Sequence, residues 1–284
     1  MALAKTPLRA ASAPPPSEAP PHPGMWRSTW ATYEHLALLY LRTWRGSIFG
    51  SFAQPVLFLL AMGVGLGSFV DAGSGGSALG GVSYLQFLAP ALLASTVMQG
   101  AAFESTFPVI GGFRWVRRYH AMYATPITPG AIAAGQIAWI ATRATMVGGI
   151  FAVVIVLFGA ARSPLILLAV PVGTLTALAF AGPIAAYMTT QRDTAAFNTI
   201  WRFGITPLFL FSGTFFPIDR LPEQIQPVAW LLPLWHGADL ARALSLGTVG
   251  DNPLLHLAHL GILVVIAVAG IAAMFVMFGR QLRK

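Results

Sequence analysis

Cysteine is missing altogether, and charge is scarce. With Cys 0, the chain can form no disulfide, no thiolate nucleophile and no cysteine metal site. Charged residues make up 9%, far below the roughly one-quarter of a soluble domain. There is no Gly-Lys pair, so the Gly-x-x-x-x-Gly-Lys-Ser/Thr phosphate loop is absent and the chain cannot hydrolyse ATP alone. Neither a Gly-x-Ser-x-Gly elbow nor a His-Glu-x-x-His helix occurs, which removes the usual signatures of hydrolytic chemistry. No apolar stretch of seven or more residues follows Lys5 and Arg9, so the N-terminus does not read as a signal peptide.

What is present is apolar. Hydrophobic residues make up 56% of the chain and mean hydropathy is +0.70. They fall in long uncharged runs and not in a 2.0 or 3.6 period, the pattern of an all-α integral membrane protein with several spans. The net charge of +8 sits in short clusters between those runs, as juxtamembrane anchors do, so nucleic acid is not an expected partner. Residues 1–24 are proline-rich without an apolar core and are expected to be disordered. Residues 25–45 carry Trp26, Trp30, Tyr33, Tyr40 and Trp44 in steps of three and four, with Ala37 in step. Arg27, Glu34, His35 and Arg42 interrupt them too often for a span, so this segment reads as an amphipathic interfacial helix.

Six spans are expected within residues 46–284: Ser47 to Val70, Tyr84 to Phe107, Ala131 to Ala160, Pro164 to Met188, Asn198 to Phe216 and Pro253 to Phe278. The apolar run Val228 to Trp235 is too short to cross and contains Pro233, so it should be a re-entrant or interfacial piece on the outer side. Placing the N-terminus inside puts Lys5, Arg9, Arg27, Arg42, Arg45, Arg114, Arg117, Arg118, Arg192, Arg280, Arg283 and Lys284 in the cytoplasm. Only Arg162, Arg220 and Arg242 then lie outside, which predicts that both termini are cytoplasmic.

Ionisable residues within spans are expensive and therefore suspect: Glu104, Arg143 and Arg202. Glu104 and Arg143 reach similar depth and are expected to form an ion pair, with a transport role as the alternative. The absence of further carboxylates near the midplane argues against proton coupling. Gly63 and Gly67 form a small-xxx-small pair suited to close helix contact. His256 and His259 stand i, i+3, which reads as interfacial polarity and not as a metal site, so no metal is expected. The cytoplasmic stretch from Arg114 to Pro126 sets Trp115, Tyr119, Met122 and Tyr123 at helical spacing beside three arginines. It suits either anionic headgroups or a soluble partner.

Several strings resemble one family. They are QPVLFLLAMGVGLG (54 to 67), FLAPALLA (87 to 94), FEST (103 to 106), YATPITP (123 to 129), and LFLFSGTFFPIDRLP followed by LPLWH (208 to 236). Residues 26 to 284 thereby resemble ABC-2 type permeases, most closely the nodulation-factor (lipo-oligosaccharide) export and daunorubicin-resistance-like branch. The resemblance implies a bacterial inner-membrane exporter, a homodimer of permeases served by two copies of a cytoplasmic ATPase subunit that holds ATP and Mg. It implies that residues 25–45 are a connecting helix. Arg117, Arg118, Tyr119, Met122 and Tyr123 would belong to a coupling helix seated on the ATPase. Pro217, Asp219, Arg220 and His236 would belong to an extracellular gate. Phe203, Phe209, Phe211, Phe215 and Phe216 on span five suit an apolar substrate tail, and lipid-facing packing explains them equally. A membrane-embedded enzyme acting on lipid or glycan through Glu104 or His236 is the rival reading, and an ATP-independent channel is a third.

Overall fold

The computed structural model describes residues 24–73, 79 and 81–284, with the side chains of 45, 47–52, 54 and 55 left aside. The proline-rich segment expected to be disordered lies outside the described residues, except for Gly24. Among the described residues every regular element is helical. Four helices are long and apolar enough to cross a membrane. These are α3 (Tyr84–Arg114), α5 (Pro129–Leu157), α6 (Ala169–Thr190, entered through a 3₁₀ turn at Pro164–Leu168) and α11 (Pro253–Leu282).

The chain starts with α1 (Met25–Phe58), continues as a π-helical stretch at Leu59–Leu66 and ends in α2 (Gly67–Ala72). The sequence reading sets an interfacial helix apart from the first span, with a boundary at 45/46. The structure runs one helix through it, because the lone Gly46 at that boundary costs a helix only about 1 kcal/mol. The short α4 (Arg118–Tyr123) joins α3 to α5. After α6 come α7 (Ala195–Thr199), a second π-helical stretch (Ile200–Ile205) and α8 (Thr206–Phe211). A 3₁₀ turn at Ile218–Arg220, α9 (Gln226–Trp230) and α10 (Pro233–Leu246) precede α11. The apolar run around Pro233 is thus divided between two short helices.

Capping chemistry sets where the long helices begin. Thr128 accepts from Ala131 N at 3.3 Å and Asn252 from Leu255 N at 3.4 Å, each directly before a proline that needs no partner for its missing N–H. Ser83 and Gln86 form a capping box at the start of α3, with bonds of 3.2 and 3.3 Å.

Helix α6 is the hub and touches α3, α5, α10 and α11. Small residues permit this. A Cβ on Gly182 would lie 2.5 Å from the Gly270 carbonyl carbon and 2.5 Å from Ile271 N, and one on Gly270 would run into Pro183. The backbones of α6 and α11 therefore meet directly, as small-residue packing in lipid requires. Gly63 makes room for the Leu85 side chain of α3, and Gly67 lies at ordinary contact distance from Tyr84. On α1 the docking face is Ser28, Thr32 and Leu36, all buried, with Thr32 seated on Gly135 of α5, while Trp26 and Trp30 point outward.

Gly182→Leu should therefore lower the apparent Tm of the detergent-solubilised protein by the equivalent of about 2–3 kcal/mol of overpacking. Gly149→Ala on α5, whose Cβ would meet nothing within 4 Å, should leave it unchanged. Equal melting of both variants would show that the α6–α11 contact is not tight.

Candidate functional site

A cleft of about 950 Å³ lies between α1, α3 and α5, with Trp201 and Phe209 also on its wall. The two long walls run antiparallel and are joined by α4, so one end of the cleft lies beside α4. Arg118, Glu104, Gln136, Trp139 and Arg143 gather at that end, while Leu92, Val97, Val147 and Phe151 line the other.

Arg143 Nη1 donates to Glu104 Oε1 at 2.9 Å, and the two side chains are 19% and 16% exposed. The guanidinium also lies 4.5 Å over the Tyr40 ring, and Tyr40 in turn packs 5.4 Å from Trp139. The two rare span charges thus meet each other and an aromatic wall supplied by α1. Arg202, the third span charge, is exposed on the second π-helical stretch and is not part of the cleft wall.

At the α4 end a buried tyrosine ties three elements together. Tyr119 donates from its hydroxyl to Gln136 Oε1 at 2.9 Å and accepts from Arg118 Nη2 at 3.0 Å, while the same Arg118 nitrogen donates to Pro108 O at 2.9 Å. The Tyr119 ring stacks among Phe113 and Phe278 at 4.7 and 5.3 Å. Burial pushes the Tyr119 hydroxyl up, so it stays protonated and can serve as donor and acceptor at once. A Cβ on Gly112 would strike Tyr119, so α3 must carry glycine there. Arg117 enters α4 with φ 54°, a left-handed conformation that costs a non-glycine residue about 1–2 kcal/mol. Of the five residues expected on a coupling helix, Arg117 and Tyr123 face outward, Met122 is half-buried, and Arg118 and Tyr119 turn into the protein. Burial, aided by Arg117 and Arg114, holds His120 below its usual range.

The four residues expected at an extracellular gate differ in exposure. Asp219 and Arg220 are exposed and Pro217 is half-buried before the 3₁₀ turn, whereas His236 is buried in α10. His236 sits 4.9 Å from the His259 ring and 4.8 Å from Trp235, and Asp239 Oδ2 lies 3.5 Å from His259 Nδ1. Burial first, then the neighbouring His259, pushes His236 down to about 4. Among the described residues no three His, Asp or Glu side chains are placed to hold a metal ion.

Arg242, which the sequence offers only as one more outer cation, is a fastener. Its Nε donates to Phe87 O at 3.1 Å and its Nη2 to Gly213 O at 2.9 Å, while its guanidinium lies 3.8 Å over the Phe87 ring. It ties the turn after α8 to the start of α3, and Ser95 bonds Thr214 of the same turn at 3.0 Å. The phenylalanines do not form one file. Phe209 packs 4.9 Å from Phe215, and Phe215 lies 5.8 Å from Phe58 of α1. Phe203 is 79% exposed, Phe211 is also exposed, and Phe216 joins Ile218 and Trp235 in a separate outer cluster.

A family model described as "ABC-2 type transporter" matches residues 28–246. The chain is 34% identical over 242 residues to Nodulation protein J of Rhizobium leguminosarum bv. viciae, covering 84% of this chain and 88% of that one. It is 33% identical over 241 residues to Nodulation protein J of Rhizobium meliloti (strain 1021), covering 84% and 85%. To the namesake in Rhizobium leguminosarum bv. trifolii it is 35% identical over 225 residues, covering 78% and 80%.

The buried imidazole makes a pH prediction. His236 is pushed down to about 4 from an unfolded value near 6.5, so between those values the unfolded chain binds the proton and the folded chain does not. Stability therefore falls as pH drops through that window. The loss of melting temperature between pH 7 and pH 5 should be smaller in His236→Asn, by the equivalent of about 1–2 kcal/mol. An identical acid loss in both proteins would rule His236 out as its source.

Proposed function

The chain belongs to the ABC-2 type transporter family, and from that premise we propose that it is the permease subunit of an ATP-driven exporter of a lipid-linked, glycolipid or drug-like amphiphile. The chain is a multi-pass membrane protein with four helices of spanning length among the described residues. The apolar stretch Val56–Ala72 and the broken helix 195–211 complete six crossings in this reading. With both termini cytoplasmic, α4 faces a soluble ATPase and residues 217–246 face outward. A second copy of the permease and two copies of the ATPase, which holds ATP and Mg, make up the machine.

The observation that carries the reading is the footing of α4. Its exposed face offers Arg117 and Tyr123 to a partner, while its buried face is hydrogen-bonded through Tyr119 to Gln136 in the cleft wall. A push on α4 therefore reaches the cleft through a rigid contact and not through a loop. Such a contact can bias a two-state gate toward one conformation. The rival enzymatic reading needs a free Glu104 or His236, and Glu104 is engaged by Arg143 while His236 is buried against Trp235 and His259.

Vesicles containing the permease together with an ATP-binding cassette ATPase should move a fluorescent lipo-oligosaccharide only when ATP is present. Movement by the permease alone would overturn the proposal. Tyr119→Phe strands the Gln136 oxygen, a cost of about 1–3 kcal/mol, while Arg118 keeps its bond to Pro108 O. It should cut ATP-coupled movement by about tenfold while ATP hydrolysis continues.

A further inference from the structure

The polar end of the cleft is one-sided in its hydrogen bonding. Five buried polar atoms on its wall have no partner among the described residues: Tyr40 Oη, Arg118 Nε, Gln136 Nε2, Arg143 Nε and Trp201 Nε1. Four are N–H donors that cannot accept, and the fifth is a hydroxyl able to donate. The Gln136 oxygen is already taken by Tyr119, and Glu104 by Arg143. Unsatisfied buried donors each cost about 1–3 kcal/mol and are uncommon in native proteins, so five around one cleft call for an occupant rich in acceptors. The described wall carries Arg118 and Arg143 against Glu104 alone, two positive charges and one negative. That surplus favours an anion.

The remainder of the cleft is apolar. From Gln99 and Thr96 onward it runs between Leu92, Val97, Val147 and Phe151 toward Phe58. Its volume of about 950 Å³ falls in the range of sites that enclose a single small amphiphile.

We infer that this cleft, within one protomer, binds one anionic amphiphile, its acceptor-rich head held by Arg118, Gln136, Arg143 and Trp201 and its acyl chain lying along α3 and α5. The inference rests on the export reading only in treating that occupant as cargo. Small rotations of the wall side chains bring their free N–H groups onto head oxygens. A phosphate-type head satisfies several donors at once, and charge-assisted bonds of this kind are about twice as strong as neutral ones.

The test is equilibrium binding to the purified full-length protein in a neutral detergent. The probes are 1-palmitoyl lysophosphatidic acid, 1-palmitoylglycerol with the same chain and no charge, and inorganic phosphate. Lysophosphatidic acid should bind at least about tenfold more tightly than the monoglyceride, and inorganic phosphate should not displace it. Trp201→Phe and Gln136→Leu, which remove a donor and keep the net charge, should each weaken lysophosphatidic acid binding by about threefold to tenfold while leaving the monoglyceride unchanged. Glu104→Gln/Arg143→Gln, which removes a charged donor but leaves the surplus charge of Arg118, should weaken lysophosphatidic acid binding by about threefold to tenfold and keep part of the preference for the charged head, with a melting curve to confirm folding. Equal affinity for the two lipids, displacement by inorganic phosphate, or indifference of folded variants would each overturn the inference. Binding with the expected specificity but no ATP-dependent export would leave the site standing and defeat the export reading, and export without head-group preference would do the reverse.

Discussion

Helix α6 can be central only because its neighbours are allowed to touch its backbone. Lipid tails are as apolar as leucine, so helices in a bilayer gain nothing by hiding apolar surface from one another and must gain by close packing. Along α6 the buried positions are mostly Gly173, Thr176, Ala177, Ala179, Ala181, Gly182, Ala185 and Ala186. Gly182 meets Gly270 of α11, Gly173 receives Leu93 of α3, and Thr176 receives Gly237 of α10. Three neighbours are seated by small residues on one helix, and α5 fills the remaining side. With α3 and α5 held by that hub, the space left between them and α1 becomes the cleft.

Scarce polarity is spent in two places. At the α4 end it forms the Glu104–Arg143 pair and the Arg118–Tyr119–Gln136 chain. Around α10 it forms the Arg242 fastening and the His236, His259 and Asp239 group. The middle of the bundle between them is almost wholly apolar. Buried polar contacts in a medium without water are costly to break. These two zones therefore behave as stiff ends of the bundle. Two π-helical stretches, Leu59–Leu66 and Ile200–Ile205, interrupt the helices that run up to the cleft. Such stretches loosen an α-helix at functional places.

Composition alone fixes the class of this protein, because apolar runs broken by arginine clusters have no other home. The charge pair was also legible, since two isolated ionisable residues at similar depth have little choice but each other. What periodicity could not tell was which face of α1 docks. The Trp and Tyr stripe drew attention, yet Ser28 and Thr32 make the contact because small side chains let α1 approach Gly135, and only Tyr33 and Tyr40 of the stripe reach Trp139. The spacing of Ser28 and Thr32 is itself a small-xxx-small signal. Arg242 was hidden for a different reason. Counted among outer cations it helps set orientation, and nothing in its neighbours reveals that Phe87 and Gly213, distant in sequence, supply its acceptors. The π-helical stretches leave no compositional mark at all, because one extra residue in a turn changes register and not chemistry.

The arrangement assigns an order to the motion. Arg118 belongs to α4 and also to the wall of the cleft, and its neighbour Tyr119 holds Gln136 of the same wall. In the proposed exporter the element that would meet the ATPase and the element that would meet a polar head are therefore the same few residues. Any displacement of α4 must first change the contacts at the polar end, before it alters the apolar walls further along α3 and α5. A head group held there would lose or gain its partners ahead of its chain. For an amphiphile this is the productive sequence, because an acyl chain is at home in lipid throughout, while the polar head is the part that needs a protein path across the bilayer core. By linkage the converse also holds: a head seated on Arg118 and Gln136 must bias the position of α4 by the same free energy with which α4 biases its binding.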